Sequence, residues 1–167
     1  MGRPATDLVS LLQTLAARRV DFVVVDGVGA VLQGAPIATF DLDVVHSREP
    51  ENLERLLSAL NDLGAYYREQ PDRKLTPELA HLAGPGHHLL MTLAGPLDLL
   101  GAVTRGRGYE EPLPCTEELD VGDGLRVKVL DLAMIITLKE ELGGAKDLAA
   151  LPVLRRTLEE RGPYTVR

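Results

Sequence analysis

Apolar residues recur at helical spacing at Leu8, Leu11, Leu12, Leu15 and Ala16, and Thr6 stands where its oxygen can cap the first free amides. A first helix is therefore expected to end near Arg19. The apolar run Phe22 to Val25, closed by Asp26-Gly27, reads as a short buried strand. A small helix follows from about Val28 to Gln33 and is broken by Gly34 and Pro36. Apolar and acidic positions then alternate through Phe40-Asp41-Leu42-Asp43-Val44-Val45, the pattern of a half-buried strand. Leu53, Leu56, Leu57 and Leu60 mark one face of a helix that opens at Pro50 and stops at Gly64.

Beyond it, Tyr66 to Pro85 is polar, with Thr76-Pro77-Glu78 as the signal for one short helix. Two apolar runs, His88 to Leu93 and Leu97 to Leu100, flank Ala94-Gly95-Pro96 and predict a hairpin. Arg105 to Gly108 is expected to be a loop. Gly122-Asp123-Gly124 makes a turn before a strand from Leu125 to Val129. Asp131 caps a helix to about Leu142, and a last helical stretch from about Ala145 to Glu160 is expected to break at Pro152. No repeat or long linker divides the chain, so residues 1–167 read as one domain. This order of elements predicts an α+β fold (mixed α/β), a small mixed sheet with helices packed mainly on one side.

Composition narrows the function. With 45% hydrophobic residues the chain can bury a core, and with 4% aromatics and no Trp that core must consist of Leu, Val and Ala. Asp and Glu outnumber Lys and Arg by 25 to 18, which argues against a broad nucleic-acid surface. Arg105, Arg107, Arg155 and Arg156 leave room for a local basic rim. One cysteine, Cys115, allows neither an internal disulfide nor a cysteine-ligated zinc site, and suits a reducing, cytoplasmic setting. No run approaches the ~20 apolar residues of a membrane span.

The chemistry concentrates between Phe22 and Val45. Asp41 and Asp43, two apart on a strand, share a face, while Leu42 and Val44 enter the core. Bare, such a pair repels by ~4 kcal/mol at 4 Å with an effective dielectric near 20. A divalent cation removes that repulsion, and magnesium favours a few carboxylates completed by phosphate oxygens and water. The alternative is an amphipathic strand with its acids in solvent. The glycine turn after the preceding strand adds backbone amides suited to phosphate. Asp98 interrupts Leu97-Asp98-Leu99-Leu100, where a carboxylate needs solvent, a partner or a metal. Its competing reading is an edge-strand residue facing water. Thr39 is placed to share the strand face of Asp41. His87-His88 sends its rings to opposite strand faces and makes a poor chelate, and His46 and His81 read as surface histidines. The turn Gly27-Val28-Gly29 lacks the third glycine of a dinucleotide fingerprint, and no phosphate-binding Gly-Lys-Ser/Thr occurs.

These residues resemble the nucleotidyltransferase superfamily that includes DNA polymerase beta, and within it small minimal nucleotidyltransferases of the toxin-like AbiEii kind. The resemblance rests on Phe22 to Val45, the helix from Glu51, Gly95-Pro96-Leu97-Asp98-Leu99-Leu100, and Lys139 with Lys146-Asp147. It implies a nucleotidyltransferase fold, two Mg²⁺ ions held by Asp41, Asp43 and Asp98, and an NTP as substrate. It also implies that Asp98 activates the hydroxyl of an acceptor, which in the family is RNA, a protein or a small molecule. Gly27, Thr39, Lys139 and Lys146 would contact the nucleotide, with Lys146 favoured over Lys139 because Asp147 can orient it. Lysines on late helices are otherwise ordinary solvated residues.

The pattern also departs from the family. Asp26 stands where the first glycine of the Gly-Gly turn is usual, and Ile37 or Ala38 and Gly144 or Ala145 stand where arginines are usual. An anion is gained and two cations are lost. The alternative function is therefore a catalytically weakened transferase fold that binds a partner, such as an antitoxin-like protein.

Overall fold

The computed structural model describes residues 5–161. Seven strands form one mixed sheet in the order β3-β4-β5-β2-β1-β7-β6. They are β1 Phe22–Val25, β2 Leu42–His46, β3 Tyr66–Tyr67, β4 His87–Thr92, β5 Gly95–Leu100, β6 Thr116–Asp120 and β7 Arg126–Leu130. The helices are α1 Leu8–Ala17, α2 Asp26–Leu32, α3 Pro50–Asp62, α4 Leu79–Leu82, α5 Leu132–Leu142 and α6 Ala145–Arg161. β2 runs antiparallel to β1 and parallel to β5, and the β4–β5 hairpin and the β6–β7 hairpin extend the sheet on either side.

Alternation along the strands decides what each face touches. Val24, Leu42, Val44, Leu97 and Leu99 point toward α1 and α3, whose Leu11, Leu12, Leu15, Leu53, Leu56 and Leu60 complete a leucine and valine core. Val23, Val25 and Val45 point the other way, toward Ile135 and Ile136 of α5 and Leu151 and Leu154 of α6. The second face is thus covered where β1, β2 and β7 lie. Gln33, buried just after α2, donates through Nε2 to Gly29 O and Leu130 O and accepts from the Leu132 amide. That side chain ties the end of α2 to the β7–α5 junction.

Several local expectations are corrected. The cap of α1 is Asp7, whose Oδ1 accepts from the Ser10 amide at 3.0 Å. Thr6 instead donates its hydroxyl to Phe40 O at 2.6 Å, fastening the start of α1 to the segment that enters β2. α6 does not break at Pro152: the proline is exposed while Leu151 and Leu154 on either side of it are buried. Packing of those leucines offsets the ~3 kcal/mol that an interior proline costs.

His46 is not at the surface. It ends β2 fully buried, with Nε2 3.1 Å from Leu82 O, while His81 is exposed. Burial pushes its imidazole down to about 4. Between pH 6.5 and 4 the unfolded chain takes up a proton that the folded chain refuses, so this residue removes stability as pH falls through that window. Relative to wild type, His46→Gln should gain about 3 kcal/mol as pH is lowered across it. Urea unfolding of both proteins at the two ends of the window measures the difference; an unchanged difference would contradict a neutral, buried His46.

Candidate active site

The C-terminal end of β1 and the facing parts of β2 and β5 meet at one place on the sheet. Asp43 is paired in register with Val25 across β1 and with Asp98 across β5. In-register residues on adjacent strands sit ~5 Å apart and on the same face, so Asp43 and Asp98 stand side by side. β5 lies between β4 and β2, and Asp98 is 8% exposed, so it is not an edge residue facing water. Asp41 lies just before β2, partly exposed, and is linked to the pair by Arg68.

Burial and neighbouring charge act strongly on Asp43. Burial first, then a hydrogen bond with Asp98 and its charge, then the charges of Asp26 and Asp41, push the Asp43 carboxyl up to about 8. Arg68, directly after β3, donates through Nη1 to Asp98 Oδ1 at 2.5 Å and to Leu90 O at 3.0 Å. Its Nη2 lies 3.6 Å from Asp41 Oδ2. The hydrogen bond to Asp98 raises the guanidinium further above its usual range.

A cavity of about 240 Å³ opens beside the carboxylates. Asp26, Asp43, Asp98, His87 and Lys139 bring polar atoms to it, and Leu89, Leu100, Val103, Ile135 and Leu138 form its apolar wall. Lys139, on α5, reaches Asp26 Oδ1 at 2.7 Å and Asp147 Oδ1 at 3.4 Å. Burial works to lower its ammonium, but Asp26 and Asp147 outweigh that and leave it raised. Asp26 holds φ at 56°, the left-handed region in which glycine is at ease and Asp is tolerated better than most residues. Gly27 is required for a different reason: a Cβ there would lie 2.8 Å from Thr39 Oγ1. Thr39 thus packs against the glycine turn.

Not every residue singled out in the sequence reaches the cavity. Asp43, Asp98 and Lys139 line it, Asp41 is attached through Arg68, and Gly27 and Thr39 pack against each other without lining it. Lys146 is exposed on the first turn of α6, and Asp147 faces Lys139 instead of orienting Lys146. Arg68 and His87 are site residues that spacing in the sequence does not disclose. The one signal for Arg68 is that a cluster of acids buried on adjacent strands demands a nearby cation.

The donor set suits a hard divalent cation, since Asp43 and Asp98 present carboxylate oxygens side by side from adjacent strands. Among the described residues no three His, Cys, Asp or Glu side chains form a ready-made metal cage. Such a cation would take its remaining ligands from water and phosphate. Among the described residues, too, no helix is long and apolar enough to cross a membrane.

No protein-family model matches the chain, and no curated protein matches it. Among solved structures, a candidate nucleotidyltransferase from Thermotoga maritima is similar to it in fold, at 16% identity. The match covers 92% of this chain and 91% of that one with a TM-score of 0.55. At that identity the likeness concerns architecture, and the architecture of this chain is the nucleotidyltransferase fold.

Proposed function

We propose that this protein is a magnesium-dependent nucleotidyltransferase that moves NMP from an NTP to a hydroxyl acceptor. The observation that carries the reading is the in-register pairing of Asp43 with Asp98, beside a cavity that also receives Lys139. Asp43 and Asp98 would hold the metal, joined by Asp41 once its carboxylate leaves Arg68. Bound magnesium supplies charge neutralisation at the phosphates and lowers the pKa of the acceptor hydroxyl.

The chain's own residues divide the remaining work. Asp98 accepts the proton of the attacking hydroxyl. The acceptor oxygen bonds to the α-phosphorus, the bond to the β-phosphate oxygen breaks, and pyrophosphate leaves. Lys139 offsets the charge gathering on the phosphates when it is released from Asp26. The apolar wall of Leu89, Leu100, Val103, Ile135 and Leu138 excludes water from the reacting centre. The assignment to the AbiEii-like minimal group is part of this proposal and rests on the sequence motifs, Asp41 and Asp43 above all.

Incubating the protein with each α-labelled NTP, Mg²⁺, and total cellular RNA or protein tests this reading. Label should pass to one acceptor class and be lost with Asp43→Asn. No label on any acceptor would instead favour the second reading, a transferase fold that binds an antitoxin-like protein partner. The ion pairs Lys139–Asp26 and Arg68–Asp98 favour that alternative, because both cations of the site are already engaged by acids.

A further inference from the structure

We infer that Arg68 is the resident counter-ion of the acidic site and that a divalent cation must displace it; the inference rests on the metal-dependent reading above. One guanidinium spans two carboxylates, with Nη1 on Asp98 Oδ1 and Nη2 toward Asp41 Oδ2. Its Nη1 also donates to Leu90 O, so the side chain is anchored to β4 as well as to the acids. The side chains of Arg68 and Asp98 are 21% and 12% exposed, so the pair is shielded from bulk water.

Competition follows from the chemistry of the donors. A carboxylate oxygen that accepts a short hydrogen bond from a guanidinium cannot at the same time give that face to a small, strongly hydrated cation. Asp98 Oδ1 is the oxygen in question, and it belongs to the residue beside Asp43. Arg68 therefore stabilises the metal-free protein and sets the concentration at which the cation binds. Lys139 does not do the same, because its partners Asp26 and Asp147 lie outside the Asp43–Asp98 pair.

The test is Mn²⁺ binding to the full chain without nucleotide, read from the electron paramagnetic resonance signal of free Mn²⁺. Arg68→Gln, which removes the charge, should bind Mn²⁺ about tenfold more tightly than wild type and should be stabilised more by it in a thermal melt. Equal or weaker Mn²⁺ binding by Arg68→Gln, with binding retained by wild type, overturns the inference and leaves the metal-dependent reading intact. Absence of Mn²⁺ binding in both proteins, with ATP or without, overturns both. Should Arg68→Gln fail to fold, Arg68→Lys serves in its place, since a single ammonium cannot span Asp41 and Asp98. Its Mn²⁺ affinity should exceed that of wild type, and an equal affinity counts against the inference.

Discussion

Asp43→Asn is expected to abolish nucleotidyl transfer and, at the same time, to make the protein more stable at alkaline pH. The two effects share one cause. In the wild type the Asp43 carboxyl is pushed up to about 8 by burial and by Asp98, whereas an unfolded chain ionises it near 3.8. Between those values the folded state holds a proton that the unfolded state has released, so the favourable contribution present in acid is lost as pH rises through the folded value. The slope is about 1.4 kcal/mol per pH unit. Below 6.5, His46 works in the opposite sense, so the net loss belongs to the interval from 6.5 to 8 and amounts to about 2 kcal/mol. Asparagine keeps the shape, donates to Asp98 and has nothing to titrate. Urea unfolding at the two ends of that interval should show a falling midpoint in wild type and a flat one in the variant. A variant with the wild-type slope, or with full transfer activity, contradicts the assignment of Asp43.

Asp26→Gly is expected to tighten the binding of Mg·NTP about tenfold, equivalent to ~1.4 kcal/mol. Seen in the sequence alone, Asp26 is an anion placed against the triphosphate. In the structure its carboxylate is turned to Lys139, so the larger consequence is that a cation facing the cavity is occupied. Glycine frees that lysine and restores the residue type that φ of 56° suits. Relief of the left-handed strain, ~1 kcal/mol, opposes the loss of the ion pair, so stability should change little. Isothermal titration with Mg²⁺ and a non-hydrolysable NTP measures the affinity. Weaker binding would mean that Asp26 itself helps to hold the ligand, and unchanged binding would mean that Lys139 does not contact phosphate.

Much of this architecture is legible in the residues, and the exceptions have physical reasons. The apolar run Phe22–Val25, buried on both faces, and the helix of Leu53, Leu56 and Leu60, buried on one, stand where the pattern places them. Asp41 and Asp43 could be grouped because side-chain direction on a strand follows from position alone, whereas Asp98, on a different strand, is joined to them by the family resemblance. What the sequence conceals depends on contacts distant in the chain. Pro152 is tolerated because of leucines packed against another helix, and His46 is buried because Leu82 and its carbonyl close over it. Lys139 displaces Lys146 from the site because Asp147, read as the partner of its neighbour, reaches back across to α5. Arg68 follows two tyrosines in a strand of two residues and announces itself by no motif, although it meets two of the three acids.

The most direct measurement is a crystal structure of the protein with Mn²⁺ and a non-hydrolysable NTP, with the metal located by its anomalous scattering. The account predicts manganese between Asp43 and Asp98, Arg68 withdrawn from Asp98, and the α-phosphate within reach of the same carboxylates. Nucleotide bound elsewhere, or manganese absent from that pair while Arg68 keeps its hold on Asp98, would contradict it.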